Sequence, residues 1–182
     1  MKMNDEKIRD YKKGDLNALV EIYRPYVEKT SFTFEYRAPT SGEFEERIKS
    51  TMQNFPFFVA ELEREICGYA YAGAHRSRCA YGWSVESSVY IDSKFHGQGI
   101  GKKLYQQLFK VLKKQRVVNV FAGITLPNDA SVGLHESMGF KRIGVYKKVG
   151  FKNNQWWDVG WWQLSLQNLV KPIAPIPYSE LR

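Results

Sequence analysis

The chain has 182 residues, 43% of them hydrophobic and 15% aromatic, and a formal net charge of +8. These figures exclude a disordered chain and allow one full core but not comfortably two. One domain over residues 1–170 is expected, with a Pro-rich tail over 171–182. The positive charge suits a polyanionic ligand as well as plain solubility. Cys67 and Cys79 lack metal-ligand spacing, so no metal is expected, and reduced thiols in the cytoplasm are the simplest account. No apolar run nears the ~20 residues of a bilayer span, and the start is polar, so neither membrane nor leader is expected.

A short strand is predicted at Ile8–Tyr11, followed by a helix capped by Asp15 with Leu16, Leu19, Val20, Ile22 and Tyr23 on its apolar stripe. Residues 25–40 read as irregular, and Phe32, Phe34 and Tyr36 there are candidates for a substrate wall. Ser41–Met52 reads as a second helix. Phe57–Glu61, Ile66–Gly73 and Trp83–Ile91 form a predicted meander, its first turn the charged Leu62–Glu65. From Ile100 the apolar positions Leu104, Leu108, Val111 and Leu112 mark an amphipathic basic helix. Val117–Ile124 is a buried-type strand, Asn128–Met138 a helix stopped by Gly139, and Phe140–Val149 and Trp156–Leu166 two closing strands. The tail from Lys171 is expected on the surface or on another chain.

Between Glu86 and Gly101 an apolar strand feeds a turn, His96-Gly97-Gln98-Gly99-Ile100-Gly101, that opens directly into the basic helix. Glycines permit positive φ and close approach, and a helix start adds unpaired amides and the positive end of its dipole, so the segment is an anion cradle with Glu86 leading in as a possible base. Shaping a tight strand-to-helix connection would account for the glycines equally well. A nucleotide-hydrolysing P-loop is excluded because no Gly-Lys-Ser/Thr follows, and a dinucleotide fold because the acidic strand end about 20 residues on is missing.

The turn resembles the acetyl-coenzyme A signature of the GNAT acetyltransferases, Gln/Arg-x-x-Gly-x-Gly/Ala, with His96 in first place. Asn128-x-x-Ser131-x-x-Leu134-His135-x-x-x-Gly139-Phe140 is similar to a second pattern of that superfamily, with histidine where a general-acid tyrosine usually stands. Asn128, Ser131 and His135 share one helix face, the first and last about 10 Å apart along the axis; N-capping is an alternative role for Asn128. From about Ile8 to Leu166 the chain resembles the phosphinothricin acetyltransferase branch, carried by Tyr71-Ala72-Gly73, Arg76-Ser77-Arg78, Ala80-Tyr81-Gly82-Trp83, Leu126-Pro127-Asn128-Asp129 and Gly150-Phe151-Lys152 with Trp156, Asp158, Val159 and Gly160.

The resemblance implies an α/β (α+β) GNAT fold, a mixed, mostly antiparallel sheet of about seven strands flanked by about four helices. It implies acetyl-coenzyme A as co-substrate, held by Val89, Tyr90 and Ile91 along a strand edge, by Gly97, Gln98, Gly99, Ile100, Gly101 and Lys102 at the pyrophosphate, and by Asn128 and Ser131 near the thioester. It implies a small amino-acid-like amine as acceptor, and a homodimer. An ammonium cannot attack a thioester, so a proton must leave; Glu86 and His135 are the candidates, in an order left open. Arg76 and Arg78 are expected to clamp an oxyanion of the acceptor, with Phe34, Tyr81, Trp156 and Val159 as walls and Glu35 facing the ammonium. Competing readings are a protein or peptide acceptor and a non-catalytic acyl-coenzyme A sensor. A nucleic-acid module would interleave rings and basic residues on one face, which this chain does not do, so no nucleic-acid partner is expected.

Overall fold

The computed structural model describes residues 6–181. Seven strands, β1 (Glu6–Asp10), β2 (Phe57–Leu62), β3 (Glu65–Ala74), β4 (Ser84–Ile91), β5 (Asn119–Leu126), β6 (Lys141–Lys152) and β7 (Gln155–Ser165), form one sheet in the order β1-β2-β3-β4-β5-β7-β6. Four helices accompany it: α1 (Leu16–Glu28), α2 (Ser41–Asn54), α3 (Ile100–Lys114) and α4 (Asp129–Ser137). All neighbouring strands run antiparallel except β4 and β5, whose parallel pairing follows from the crossover through α3.

The sheet is covered on both faces. Leu104, Leu108 and Leu112 of α3, one turn apart, pack with Val85, Ala72 and Val120 in the larger core. On the other face Leu19, Ile22 and Tyr23 of α1 and Phe44 and Ile48 of α2 pack on Phe57, Val59 and Tyr69. Alternation along β4 therefore sends Val85, Ser87 and Val89 toward α3, and Glu86, Ser88 and Tyr90 toward α1 and α2.

The feature that positions the site is the β4–β5 seam. Only Ser84↔Asn119, Val85↔Val120 and Glu86↔Phe121 pair across it, although β4 stays on β3 as far as Ile91 and β5 stays on β7 as far as Leu126. Each strand keeps one neighbour, so beyond Glu86 the seam opens while the backbone on the far side of each strand remains bonded.

Several local expectations are corrected. The first helix runs through Pro25 to Glu28, with Lys29 N–H donating to the Pro25 carbonyl at 2.9 Å; packing of Tyr23 and Val27 outweighs the bond that Pro25 cannot donate. Asp15 does not cap that helix with its side chain: its carboxylate turns back to Arg9, at 2.7 and 2.8 Å, and to Lys12 N–H. Thr40 does cap α2, in a reciprocal box with Glu43. β6 extends to Lys152 because Asn153 and Asn154, at φ 53° and 59°, make a two-residue turn that Asn tolerates. The tail is tied to the body: Trp83 Nε1 donates to the Ile173 carbonyl at 2.8 Å, Gln115 Nε2 to that of Ile176, and Tyr178 is buried in the larger core. Among the described residues no helix is long and apolar enough to cross a membrane.

Candidate active site

Where β4 and β5 part, a cavity of about 530 Å³ passes between them, lined by β4, the glycine turn, the first turn of α3, β5 and α4. His75 N–H donates to the Ser84 carbonyl and Asp92 N–H to that of Cys67, so even-numbered β4 residues bond β3 and the backbone groups of Ser87 and Val89 face the opened seam. Of the expected edge, Val89 alone is available as read. Tyr90 turns its backbone to β3 and its ring into a cluster with Tyr23, Tyr26 and Tyr69. The Ile91 carbonyl accepts from Tyr26 Oη at 2.6 Å and lies 3.0 Å from His96 Nε2. His96 thereby ties the glycine turn to the strand end.

Gly97 and Gly99 adopt φ of 75° and 78°, the left-handed region in which a side chain is strained, and Gly99 is the N-cap of α3. At Gly101 a side chain would press on Leu134, 3.1 Å away, so this glycine lets α3 approach α4. The first amides of α3 lack intrahelical acceptors, and Lys102, exposed and in no ion pair among the described residues, lines the same end. Ile100 is buried and roots the helix. Gln98 does not line the cavity; its amide donates to the Lys94 carbonyl. Amide-rich edge, strained glycines, helix start and lysine fit a pyrophosphate with an amide-bearing arm, so the residues present suit coenzyme A.

Across the cavity, Asn128 caps α4, its Oδ1 accepting from Ser131 N–H at 3.1 Å, and both residues line the wall. His135 also lines it but is only 4% exposed, with both ring nitrogens engaged. Nδ1–H donates to the Ser131 carbonyl at 2.7 Å, which leaves Nε2 to accept from Tyr105 Oη at 2.9 Å, and Tyr105 in turn lies 3.4 Å from Ser87 Oγ. Burial lowers the His135 pKa against the smaller opposing effect of its bond to Ser131, and burial raises that of Tyr105.

Glu86 stands on the other face, at the last paired position before the seam opens. Its Oε1 accepts from His75 Nδ1 at 2.9 Å and Arg76 Nη1 at 3.1 Å, and its Oε2 has no hydrogen bond among the described residues. The His75 ring stacks on Phe121, centroids 4.3 Å apart, with Trp161 and Tyr81 edge-on. Sequence reasoning missed His75, Phe121, Trp161 and the edge-capping Tyr26. The signal for His75 was its place just past the strand that pairs with the Glu86 strand.

The expected acceptor residues are only partly gathered here. Tyr81 touches His75, whereas Arg76 is spent on Glu86 and the His75 carbonyl and does not form a free clamp. Arg78 is exposed and in no ion pair among the described residues. Glu35 is bonded by Arg47 at 2.7 and 3.1 Å and by Tyr23 Oη at 2.8 Å, so its charge is already met. The Phe34 ring fills the space beside Gly150, Val159 is buried between β5 and β6, and Trp156 is exposed against Phe151 at the hairpin end. The loop 29–40 is pinned to that hairpin: Tyr36 Oη donates to the Phe151 carbonyl, and buried Lys152 donates to the carbonyls of Val27 and Thr33.

A split parallel seam with an anion cradle at one end and a carboxylate at its apex defines a coenzyme A-dependent acyltransferase. The acetyltransferase (GNAT) domain family matches residues 8–161. Phosphinothricin N-acetyltransferase of Streptomyces viridochromogenes is 36% identical over 93% of this chain and 94% of its own length. The L-methionine sulfoximine/L-methionine sulfone acetyltransferase of Salmonella typhimurium is 32% identical over 92% of this chain and 98% of its own. The crystal structure of a GNAT phosphinothricin acetyltransferase from Sinorhizobium meliloti, in complex with acetyl-coenzyme A, superposes with a TM-score of 0.89 at 34% identity, covering 96% of this chain and 97% of that one. The chain belongs to the GNAT acetyltransferases and is an acetyl-coenzyme A-dependent N-acetyltransferase.

Proposed function

We propose that this enzyme acetylates the amino group of a small amino-acid-like acceptor of the phosphinothricin, methionine sulfone or methionine sulfoximine kind. One observation carries the reading: Glu86 stands at the apex of the β4–β5 seam with one carboxylate oxygen gripped by His75 and Arg76 and the other unbonded. The relatives named above act on such compounds, and the loop 29–40 pinned on the β6–β7 hairpin closes this side in a way that suits a small acceptor better than a polypeptide.

The acceptor's ammonium loses a proton toward Glu86; its nitrogen attacks the thioester carbonyl, the C–S bond breaks and the thiolate leaves. The nitrogen sheds its second proton, and the thiolate takes one up. Tyr105 lines that side of the cavity, accepting from Ser87 and donating to His135, and His135 is the group that orients it. Gly97, Gly99, Ile100, Gly101 and Lys102 hold the pyrophosphate, Val89 and Asn128 the pantetheine arm, and Arg78 takes the acceptor's oxyanion. On this reading 1–170 is a single acetyltransferase domain and 171–182 its Pro-rich tail. The exposed Ile143, Tyr146, Val149, Phe151 and Trp156 suit a homodimer face, and the free thiols of Cys67 and Cys79 suit the cytoplasm.

Free-thiol release from acetyl-coenzyme A with methionine sulfone, methionine sulfoximine, phosphinothricin, common amino acids, polyamines and peptides tests this. Release with the first three is expected. Release with peptides alone would move the acceptor to polypeptides, and none with any of them would leave an acyl-coenzyme A sensor.

A further inference from the structure

We propose that the proton acceptor on the Glu86 face is the Glu86–His75 pair, and that the amine's proton enters it at His75 Nε2. The proposal deepens the reading above and rests on it.

His75 is the first residue beyond β3, and its backbone N–H donates to the Ser84 carbonyl at 3.3 Å, so the β3–β4 ladder continues through it. Gly73 pairs with Glu86, which sets His75 diagonally beside Glu86 on the same face. A carboxylate only accepts, so the 2.9 Å contact fixes the proton on Nδ1 and leaves Nε2 of the neutral ring as a base. Nε2 has no hydrogen-bond partner among the described residues and is not sealed from solvent, although the side chain is only 14% exposed.

Three aromatic rings hold the imidazole. Phe121 of β5 stacks on it at 19° between planes, Trp161 of β7 stands edge-on at 78°, and Tyr81 at 71°. The charged groups facing it are Glu86 of β4 and Arg76, the latter itself bonded to the same carboxylate oxygen. A proton arriving on the ring is therefore met by a fixed negative charge, the arrangement in which a carboxylate orients an imidazole and stabilises the imidazolium. The chain holds three histidines, and the other two are otherwise engaged: His135 with Ser131 and Tyr105, His96 with Ile91 and Tyr26.

The step balances without a further reactant. The acceptor's ammonium passes one proton, directly or through a water, to Nε2, giving a free amine and an imidazolium paired with the Glu86 carboxylate. The amine forms the C–N bond as the C–S bond breaks, the nitrogen's second proton passes to the departing thiolate, and the imidazolium returns its proton to solvent.

His75→Asn separates the two roles a histidine can have here, because the amide keeps a donor for Glu86 but has no basic nitrogen. With L-methionine sulfone as acceptor, the expected result is a kcat/KM lower by about 100-fold, loss of the ionisation that limits wild-type kcat/KM on the acid side, partial rescue by added imidazole, and unchanged acetyl-coenzyme A affinity. A variant within about threefold of wild type, or one that is slow with an unaltered pH profile and no rescue, makes His75 a positioning or structural residue and overturns the proposal. Glu86→Gln is measured beside it: full activity there with loss in His75→Asn removes the carboxylate from the pair. Full activity in both variants, or no release by the wild-type enzyme, instead removes the reading of Glu86 and the acceptor on which the proposal rests.

Discussion

Glu86 and His135 stand on opposite faces of the sheet. Glu86 shares its face with Tyr90 and α1, while its neighbour Ser87 points the other way, toward Tyr105, and Tyr105 leads to His135. Two hydrogen-bonded chains therefore end at the seam from its two sides, His75–Glu86 from one and His135–Tyr105–Ser87 from the other. The deprotonated amine and the departing sulfur occupy different sides of a reacting thioester, so this division suits aminolysis better than two bases sharing one proton.

Kinetics follow from the separation. Glu86→Gln is expected to lower kcat by about 100-fold or more with little change in acetyl-coenzyme A affinity, and His135→Ala to lower it less. Because the two chains share no bond, their effects on ΔG‡ should add in the double variant. Thiol-release kinetics check this; a double variant no slower than the worse single one would place both residues in a single chain.

His135 also predicts a pH dependence of stability. Burial lowers its pKa, opposed by its bond to Ser131, so the unfolded chain binds more protons than the folded one between the lowered value and about 6.5. Stability therefore rises with pH across that window and is lost as pH falls below about 6.5. His135→Phe should flatten that slope in urea unfolding measured between about pH 5 and 7; a slope identical to wild type would mean that the imidazole becomes charged without cost.

The fold was legible because its signals are local and repeated: the period of α3, the meander, the glycine turn and the α4 pattern all describe single elements. Much of the cavity lining was legible for the same reason, since Gly97, Gly99, Ile100, Gly101 and Lys102 fall in one short segment and Asn128, Ser131 and His135 in another. Residues whose role depends on pairing across strands were not. His75 meets Glu86 only through the β3–β4 register, and Glu35 looked available because nothing near it in the chain announces Arg47. The path of the tail was equally hidden, since Tyr178 gives no periodic signal before it enters the core.

Glu35 is expected to be structural. Burial alone would raise its pKa, but the bonds from Arg47 and Tyr23 outweigh burial and hold it low. Its contribution to stability is present above the usual carboxylate pKa of about 4.3 and is lost as pH falls through the lowered folded value. Glu35→Gln should cost about 1 kcal/mol near neutral pH, with the gap to wild type closing in acid and the acceptor KM within about twofold of wild type. A tenfold rise in that KM would place Glu35 at the acceptor's ammonium.

Gly150 and Phe34 give the most direct test of how the acceptor side is closed. A Cβ at position 150 would fall within the Phe34 ring, so Gly150→Ala must displace that ring. Phe34 belongs to the loop that Tyr36 and Lys152 pin to the β6–β7 hairpin. Overpacking of this kind costs about 1–3 kcal/mol, and its kinetic effect is expected in the acceptor KM, with the acetyl-coenzyme A KM unchanged because the glycine turn lies elsewhere. Phe34→Ala removes the obstacle, so Gly150→Ala should cost little further stability in that background, a non-additivity read from denaturant unfolding of the two single variants and the double. Equal cost in both backgrounds would show that Gly150 is needed for strand conformation and not for its fit against Phe34.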